Sequence, residues 1–377
     1  MSHASHVRAP RSRFHRCSNS SSSSWVVRSP SAEVPDGIPT LSALSHPHFE
    51  GCPSLDLVGG LRMTQEFEHT PVMVAEVVSM FEPVPPGILV DATVGGGGHA
   101  DALLTALPAH ELIGLDVDDD AVTESAARLA RFGGRARVLK ARFDELAALV
   151  RTYAQAAPVA GVLFDLGVSS PQLDRPERGF SYRFEGPLDM RMDRDRATTA
   201  ADLVNGTSVK ELTELLVASG EGRFARRLAE AIVASRPIAT TSELVAVIDR
   251  YLPGVARKRP GHPAKRVFQA LRIEVNHELD VLVAGLEDAL GLLTPKGRCV
   301  VLSYHSGEDR LVKQCFLDAA SGGCVCPPGL PCVCGAIGTM RVLTRGARLP
   351  TAAEIARNPR ASSARLRAAE RLEPGAA

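Results

Sequence analysis

Apolar runs closed by an acid recur along this chain and set its first reading. Residues 87–91 read Gly-Ile-Leu-Val-Asp, residues 112–116 Leu-Ile-Gly-Leu-Asp, and residues 159–165 Val-Ala-Gly-Val-Leu-Phe-Asp. Unbroken apolar runs of this length predict strands buried on both faces, as in a parallel sheet covered by helices. Residues 137–140 add a third strand in chain order, 298–304 a fifth, and 339–344 a late edge strand. Helical periods lie between them. Val122, Ala126, Leu129 and Ala130 share one face of 120–132, and Val267, Leu271, Val275 and Leu279 step at i+4 along one long helix over 265–293. Strands alternating with helices predict an α/β, doubly wound (Rossmann-like) sheet, whose ligands sit beyond the carboxyl ends of the strands.

From about 174 to 260 no strand-like run occurs. Only helical periods remain: Val209, Leu212, Leu215 and Leu216, then Phe224, Leu228 and Ile232, then Leu244, Ile248 and Leu252. The pattern predicts an all-helical insert at 174–262 between two parts of the sheet domain, 64–173 and 263–350. The Arg-rich stretch 351–377 reads as a basic, partly ordered tail. Residues 1–63 are unlike the rest. They are rich in Ser, Pro, Arg and His, hold serine at each of 20–24, and contain no acid before Glu33. Such a segment buries too little surface to offset its chain entropy and reads as a disordered extension. An organelle transit peptide, or an over-extended start with Met63 opening the ordered chain, fits the same composition.

Composition narrows the function. At 377 residues, 45% apolar and 23% charged, the chain holds one large domain plus a smaller one. A formal net charge of zero confines any nucleic-acid surface to a local patch. The basic charge lies in the helical insert: Arg223, Arg226 and Arg227 fall together, and residues 250–273 carry seven Lys/Arg and no acid. Such a run is a solvated face or, beside a catalytic crevice, a nucleic-acid contact. No run of 18 apolar residues exists to span a membrane. Four of the eight cysteines fall within eleven residues, which fits metal binding in a reducing compartment, hence the cytoplasm, better than a disulfide scaffold.

Two stretches carry candidate chemistry. After Asp91 comes Ala92-Thr93-Val94-Gly95-Gly96-Gly97-Gly98-His99, which from Gly95 fits G-x-G-x-x-A with Ala100 last. Glycines let the backbone approach a ligand, and the N–H groups of the following helix point at it. Asp116 lies 25 residues after Asp91, where nucleotide-binding folds hold ribose hydroxyls. Alone, these features also allow a nicotinamide-dependent dehydrogenase, although no proton-donor constellation follows and the basic insert has no use in one. The second stretch pairs Cys324 and Cys326 with Cys332 and Cys334 around Pro327-Pro328-Gly329-Leu330-Pro331. Two C-x-C pairs joined by such a turn can gather four thiolates, as tetrahedral zinc requires; idle or redox-active thiols are the other reading.

Longer strings carry a resemblance. They are His69-Thr70-Pro71-Val72, Asp165-Leu166-Gly167-Val168-Ser169-Ser170-Pro171-Gln172-Leu173-Asp174, Arg178-Gly179-Phe180-Ser181, Pro187-Leu188-Asp189-Met190-Arg191-Met192-Asp193, His262-Pro263-Ala264-Lys265-Arg266 and Tyr304-His305-Ser306. With the glycine loop, they resemble the bacterial 16S ribosomal RNA N4-cytosine methyltransferases, the MraW-like family, over about 69–370. The resemblance implies a class I S-adenosylmethionine-dependent methyltransferase sheet with a helical insert. Its implied substrate is a cytosine in the decoding region of 16S rRNA, in the small ribosomal subunit. Carried over position by position, it implies cofactor contacts at Gly97, Gly98, His99, Asp116, Phe143, Asp165 and Gln172. Physical readings agree: the loop amides suit a carboxylate, Asp116 a ribose diol, and Phe143 an adenine face, although Phe143 also reads as a core aromatic and His99 as a helix-start residue. Asp165 is the candidate for orienting the base, with His305 or Asp309 touching substrate, Asp309 reading equally as a helix-start acid. Arg223, Arg227, Lys265 and Arg266 are the candidate RNA contacts. A D-P-P-Y loop is absent, Ser169-Ser170-Pro171-Gln172 being a partial analogue. Gly307 stands where the family usually carries leucine, which predicts a looser turn around His305. A ribosome-binding protein without catalysis would use the same basic face.

Overall fold

The structure is a computed structural model that describes residues 71–154, 157–251, 262–327 and 333–375. The extension expected at 1–63, the middle of the basic run and Cys332 lie outside the described residues. Seven strands form one sheet: β1 (Ile88–Asp91), β2 (Glu111–Asp116), β3 (Ala136–Lys140), β4 (Val159–Asp165), β5 (Leu293–Ser303), β6 (Met340–Val342) and β7 (Arg365–Arg371). Their order is β3-β2-β1-β4-β5-β7-β6. The first five are parallel, while β7 is antiparallel to both β5 and β6.

Successive residues of the inner strands serve opposite faces, which explains the unbroken apolar runs. Ile88, Val90, Val162, Phe164 and Val301 join one core cluster with Leu146, Leu286 and Phe316 from the covering helices. Leu89, Leu163, Val300 and Leu302 join a second with Phe81, Leu103 and Leu129. A third cluster belongs to a lobe of helices, among them Val209–Ala218, Ala225–Ala234, Thr241–Tyr251 and Ala264–Asn276.

Three expectations are corrected. The single helix over 265–293 is two helices, Ala264–Asn276 and Glu278–Leu292. His277 adopts a left-handed conformation (φ 52°) between them. Asn276 locks the first end in place: its Nδ2 donates to the carbonyls of Met190 at 2.8 Å and Arg272 at 2.9 Å, and its Oδ1 accepts from Met192 N–H at 2.9 Å. The two helices serve different cores: Leu282 and Leu286 of the second join the sheet core. Ala264, Val267, Leu271 and Val275 pack in the lobe, so the lobe core extends past the boundary drawn at 262.

The third correction concerns the tail, which supplies β7, a strand inside the sheet rather than a partly ordered end. Its charges hid it, and each has a partner. Glu370, 8% exposed, accepts from Arg298 Nε at 2.9 Å and from Arg341 at 2.5 Å. Arg367 donates to Asp309 at 2.6 Å. Glu370→Ala would strand the Arg298 guanidinium, itself only 14% exposed, without its counter-charge. Urea unfolding should register a loss of about 3 kcal/mol, and pairing Arg298→Met with Glu370→Met should recover much of it. A loss below about 0.5 kcal/mol for the single variant would show the pair contributes little.

Candidate active site at the carboxyl ends of the strands

Because β1, β2 and β4 are parallel neighbours, their terminal acids Asp91, Asp116 and Asp165 come out on one edge of the sheet. The glycine loop lies there as well. Gly97, at φ 78°, precedes the Gly98–Ala106 helix, a left-handed setting that favours glycine. Gly95 N–H donates to Asp116 Oδ2 at 2.9 Å, and Asp118 N–H donates to Oδ1 at 3.0 Å. Asp116 therefore ties the loop to β2 with one contact on each oxygen. Burial holds its carboxyl above the ordinary range despite these donors.

His99 sits in the first helical turn, 5% exposed, with Nε2 3.4 Å from Asp165 Oδ2. That is an ion-pair separation rather than an aligned hydrogen bond. Both ring nitrogens of His99, and Oδ2 of the buried Asp91, lack a hydrogen-bond partner among the described residues. Burial alone would lower the imidazole; the carboxylates of Asp165, Asp91 and Glu354 outweigh it and hold His99 above its usual value. Burial lifts Asp91 from 3.8 to about 7, with His99 and the Thr93 N–H pulling the other way.

Asp165 is the best-held group. Its Oδ1 accepts from the Tyr304 hydroxyl at 2.7 Å, and its backbone N–H donates to Thr93 Oγ1 at 2.6 Å. Burial, and then Asp165 itself, pushes the Tyr304 phenol well above its ordinary range, so Tyr304 is the donor. One carboxylate oxygen is thus fixed while the other faces His99. Thr93 and Tyr304 were not singled out from sequence, although both lie inside quoted strings directly after strand ends. Phe143 packs edge-on to Phe164, centroids 5.5 Å apart. A side chain at Gly285 would start 2.6 Å from its ring, so that glycine makes the space Phe143 occupies.

Gln172 caps the Ser170–Asp174 helix together with Ser169, its Oε1 accepting from Ser169 N–H at 3.0 Å. Its Nε2 donates to Asp118 Oδ2 at 2.8 Å, where Arg178 also binds at 2.7 Å. Burial would raise Asp118, but Arg178 and Gln172 more than offset it and its carboxyl lies below the ordinary range. One N–H and one lone pair of Gln172 are thus committed to the scaffold.

Other candidates are engaged elsewhere. His305 caps a helix through Nδ1, while its buried Nε2 has no hydrogen-bond partner among the described residues. Its Nδ1 accepts from the N–H groups of Gly307 at 3.2 Å and Glu308 at 3.3 Å, and its Nε2 lies 3.0 Å from Glu308 Oε1. Nor does Gly307 loosen that turn: the capping box is complete, and a side chain there would start 3.0 Å from His305 Nδ1. Asp309 binds Arg365 and Arg367 of β7 rather than pointing to a substrate. Arg266 is engaged by the fully buried Glu221 at 2.5 Å. Arg223, Arg227 and Lys265 stay exposed on the lobe, Arg223 lying over the Phe224 ring. No hydrogen bond or ion pair joins those three to the strand-end acids among the described residues.

Comparison with known proteins now bears on this geometry. The profile of the MraW methylase family matches residues 66–372. The chain belongs to that family. It is 48% identical over 310 residues to the "Ribosomal RNA small subunit methyltransferase H" of Thermobifida fusca, covering 80% of this chain and 93% of that one. A protein of the same name from Acidothermus cellulolyticus is 50% identical over 311 residues, covering 81% and 94%. A solved rRNA methylase from Streptococcus thermophilus aligns over 79% of this chain and 95% of its own, at 12% identity and a TM-score of 0.36, too distant to carry an argument. Membership sets aside the dehydrogenase, and β3-β2-β1-β4-β5-β7-β6 is the strand order of the class I methyltransferase fold. No helix among the described residues is long and apolar enough to cross a membrane.

The acids make a pH signature. Asp91 titrates at about 7 when folded and near 3.8 when unfolded, so it favours the folded state at low pH and that stability is lost as pH rises toward 7. His99, also raised, has the same sign, its share being lost as pH passes its folded value. The drop from Asp91 alone is about 4 kcal/mol at most. Asp91→Asn should flatten the difference in unfolding free energy measured in urea between pH 4 and 8. Parallel pH profiles for the two proteins would overturn the assignment.

Proposed function

We propose that this chain transfers a methyl group from S-adenosylmethionine to the N4 amino group of a cytosine in 16S rRNA of the small ribosomal subunit, acting as a cytoplasmic enzyme. The observation that carries the reading is a group of buried polar atoms without hydrogen-bond partners among the described residues, Asp91 Oδ2 and the His99 ring nitrogens, at the glycine loop. Kinship with proteins named as small-subunit ribosomal RNA methyltransferases supplies the substrate class.

The residues fit the cofactor. Gly98 N–H at the helix start would receive its carboxylate, Gly97 shaping the turn while its own N–H donates to Val94 O at 2.8 Å, and Asp91 its cationic groups, which relieve a desolvated acid. Asp116 has lone pairs left for a ribose diol, Phe143 has a half-buried ring for adenine, and Gln172 keeps one N–H. When bound, S-adenosylmethionine supplies an electrophilic methyl on a sulfonium.

The protein's part is orientation. An exocyclic amine has its lone pair delocalised into the ring, so it reacts only when aligned in-line and when an N–H is held by an acceptor. Asp165 Oδ2 is that acceptor, aimed because Tyr304 fixes Oδ1 and Thr93 fixes the backbone. Methylation makes the nitrogen acidic, so a carboxylate suffices to take the proton. Arg223, Arg227 and Lys265 would meet phosphates, an interaction weakened by salt.

The test is methyl incorporation into small subunits lacking the modification, followed by nucleoside mass spectrometry of the 16S rRNA. N4-methylcytidine is expected; a folded protein that transfers nothing, or that is stabilised by NAD and not by S-adenosylmethionine in a thermal shift, would overturn the proposal. Asp165→Asn should lower kcat roughly a hundredfold. Tyr304→Phe should lower it roughly tenfold, the loss of one hydrogen bond to a charged acceptor, with the methyl donor's Kd changed less. Equal losses in donor binding and turnover would assign both residues to binding alone.

A further inference from the structure

The methyl-transfer site leaves one cluster of reactive groups unused. After the Ser306–Ser321 helix the chain forms a finger that returns at β6, and its base is pinned by backbone contacts: Thr339 N–H to Ala319 O at 2.9 Å and Gly323 N–H to Asp318 O at 3.1 Å. Above that base no described residue from 321 to 339 is buried, and Val325, Val333 and Ile337 are 87%, 89% and 71% exposed. Among its described residues, therefore, no apolar core holds this finger. Its inward groups are sulfurs. Cys324, Cys326 and Cys334 each bring Sγ within 4.8 Å of the others, and Cys334 Sγ lies 3.5 Å from Cys324 Sγ.

Those separations exclude one arrangement and suit another. A disulfide needs roughly 2.05 Å between sulfurs, and the 3.5 Å between Cys334 and Cys324 is too long for one. Tetrahedral zinc with Zn–S of about 2.3 Å sets its thiolates roughly 3.8 Å apart, the spacing this cluster approaches. Three sulfurs converging from both arms of a finger that lacks a core is the arrangement in which a metal takes the place of hydrophobic packing.

We infer that Cys324, Cys326 and Cys334 form a structural zinc site that closes this finger. Each coordinating thiol loses its proton to solvent, and no electron changes hands. The site belongs to the fold rather than to the methyl-transfer chemistry, since no sulfur in it contacts Asp165, His99 or Tyr304 among the described residues. The fourth coordination position is for the measurement to assign.

Metal analysis of the full chain, purified without added metal and dialysed, should return about one zinc per chain. Cobalt substitution should give the near-ultraviolet thiolate-to-metal absorption and the visible bands of a tetrahedral site. Cys324→Ser and Cys334→Ser should each lose the zinc, while Cys315→Ser, on a helix packed against the sheet, should keep it. Circular dichroism reports whether the variants fold, and the cobalt spectrum of the unaltered chain is independent of them. Zinc well below one per chain in folded protein, or isolation with a Cys324–Cys334 disulfide and a mass lower by two hydrogens, overturns the proposal.

Discussion

A buried charge pair joins the two halves of this molecule. Arg178 and Asp118 are each 3% exposed and lie 2.7 Å apart, with the Gln172 amide sharing the same carboxylate oxygen. Asp118 also caps the helix after β2, so it belongs to the sheet. Arg178 binds the carbonyls of Arg191 and Met192, so it belongs to the lobe. Removing Arg178 leaves the Asp118 charge out of water without a counter-charge, a loss of about 3–5 kcal/mol, whereas Arg178 has a second, more exposed acid in Asp120 at 3.5 Å. That penalty makes the contact specific rather than strong: the lobe has one docking geometry against the strand ends. The long strings read from the sequence are in large part this joint, since Gln172, Arg178 and Met190 to Met192 all meet at it.

The parallel half of the sheet was legible because its physics is local. An apolar run with an acid at its end needs no knowledge of the rest of the chain, and β1, β2 and β4 obey that pattern. The strand β7 was illegible for the opposite reason. Arg365, Arg367 and Glu370 look like a solvated tail until Asp309, Arg298 and Arg341, distant in sequence, are brought beside them. The break at His277 was hidden in a similar way. An i+4 apolar ladder marks a helical face but not which core the face meets, and here Val267, Leu271 and Val275 meet the lobe core while Leu282 and Leu286 of the next helix meet the sheet core.

The candidate site divides along the same line. Asp91, His99, Asp116 and Asp165 were readable as strand ends and a loop, and the fold brings them together. The capping role of His305 was not legible, because a histidine after a strand end looks like chemistry, whereas capping depends on N–H groups two and three residues later. Its partner Glu308, 2% exposed, completes the capping box by accepting from the N–H groups of Tyr304 and His305. That cap serves the site indirectly. It fixes the backbone at Tyr304, whose side chain turns toward Asp165.

Asp165 then illustrates why a carboxylate in this position needs two partners of different kinds. A carboxylate free to rotate offers either oxygen in several directions, and an amine with a delocalised lone pair gains little from such an acceptor. The Tyr304 hydroxyl, held protonated by burial, removes that freedom by occupying Oδ1. His99 acts differently: at 3.4 Å from Oδ2 it stabilises the negative charge without satisfying the oxygen's hydrogen-bonding capacity. The result is an acceptor fixed in direction at Oδ1 and still open at Oδ2. A second well-aligned hydrogen bond at Oδ2 would tie Asp165 down as Asp118 is tied; among the described residues Oδ2 has only His99 at 3.4 Å, which leaves it open for the acceptor role proposed for it.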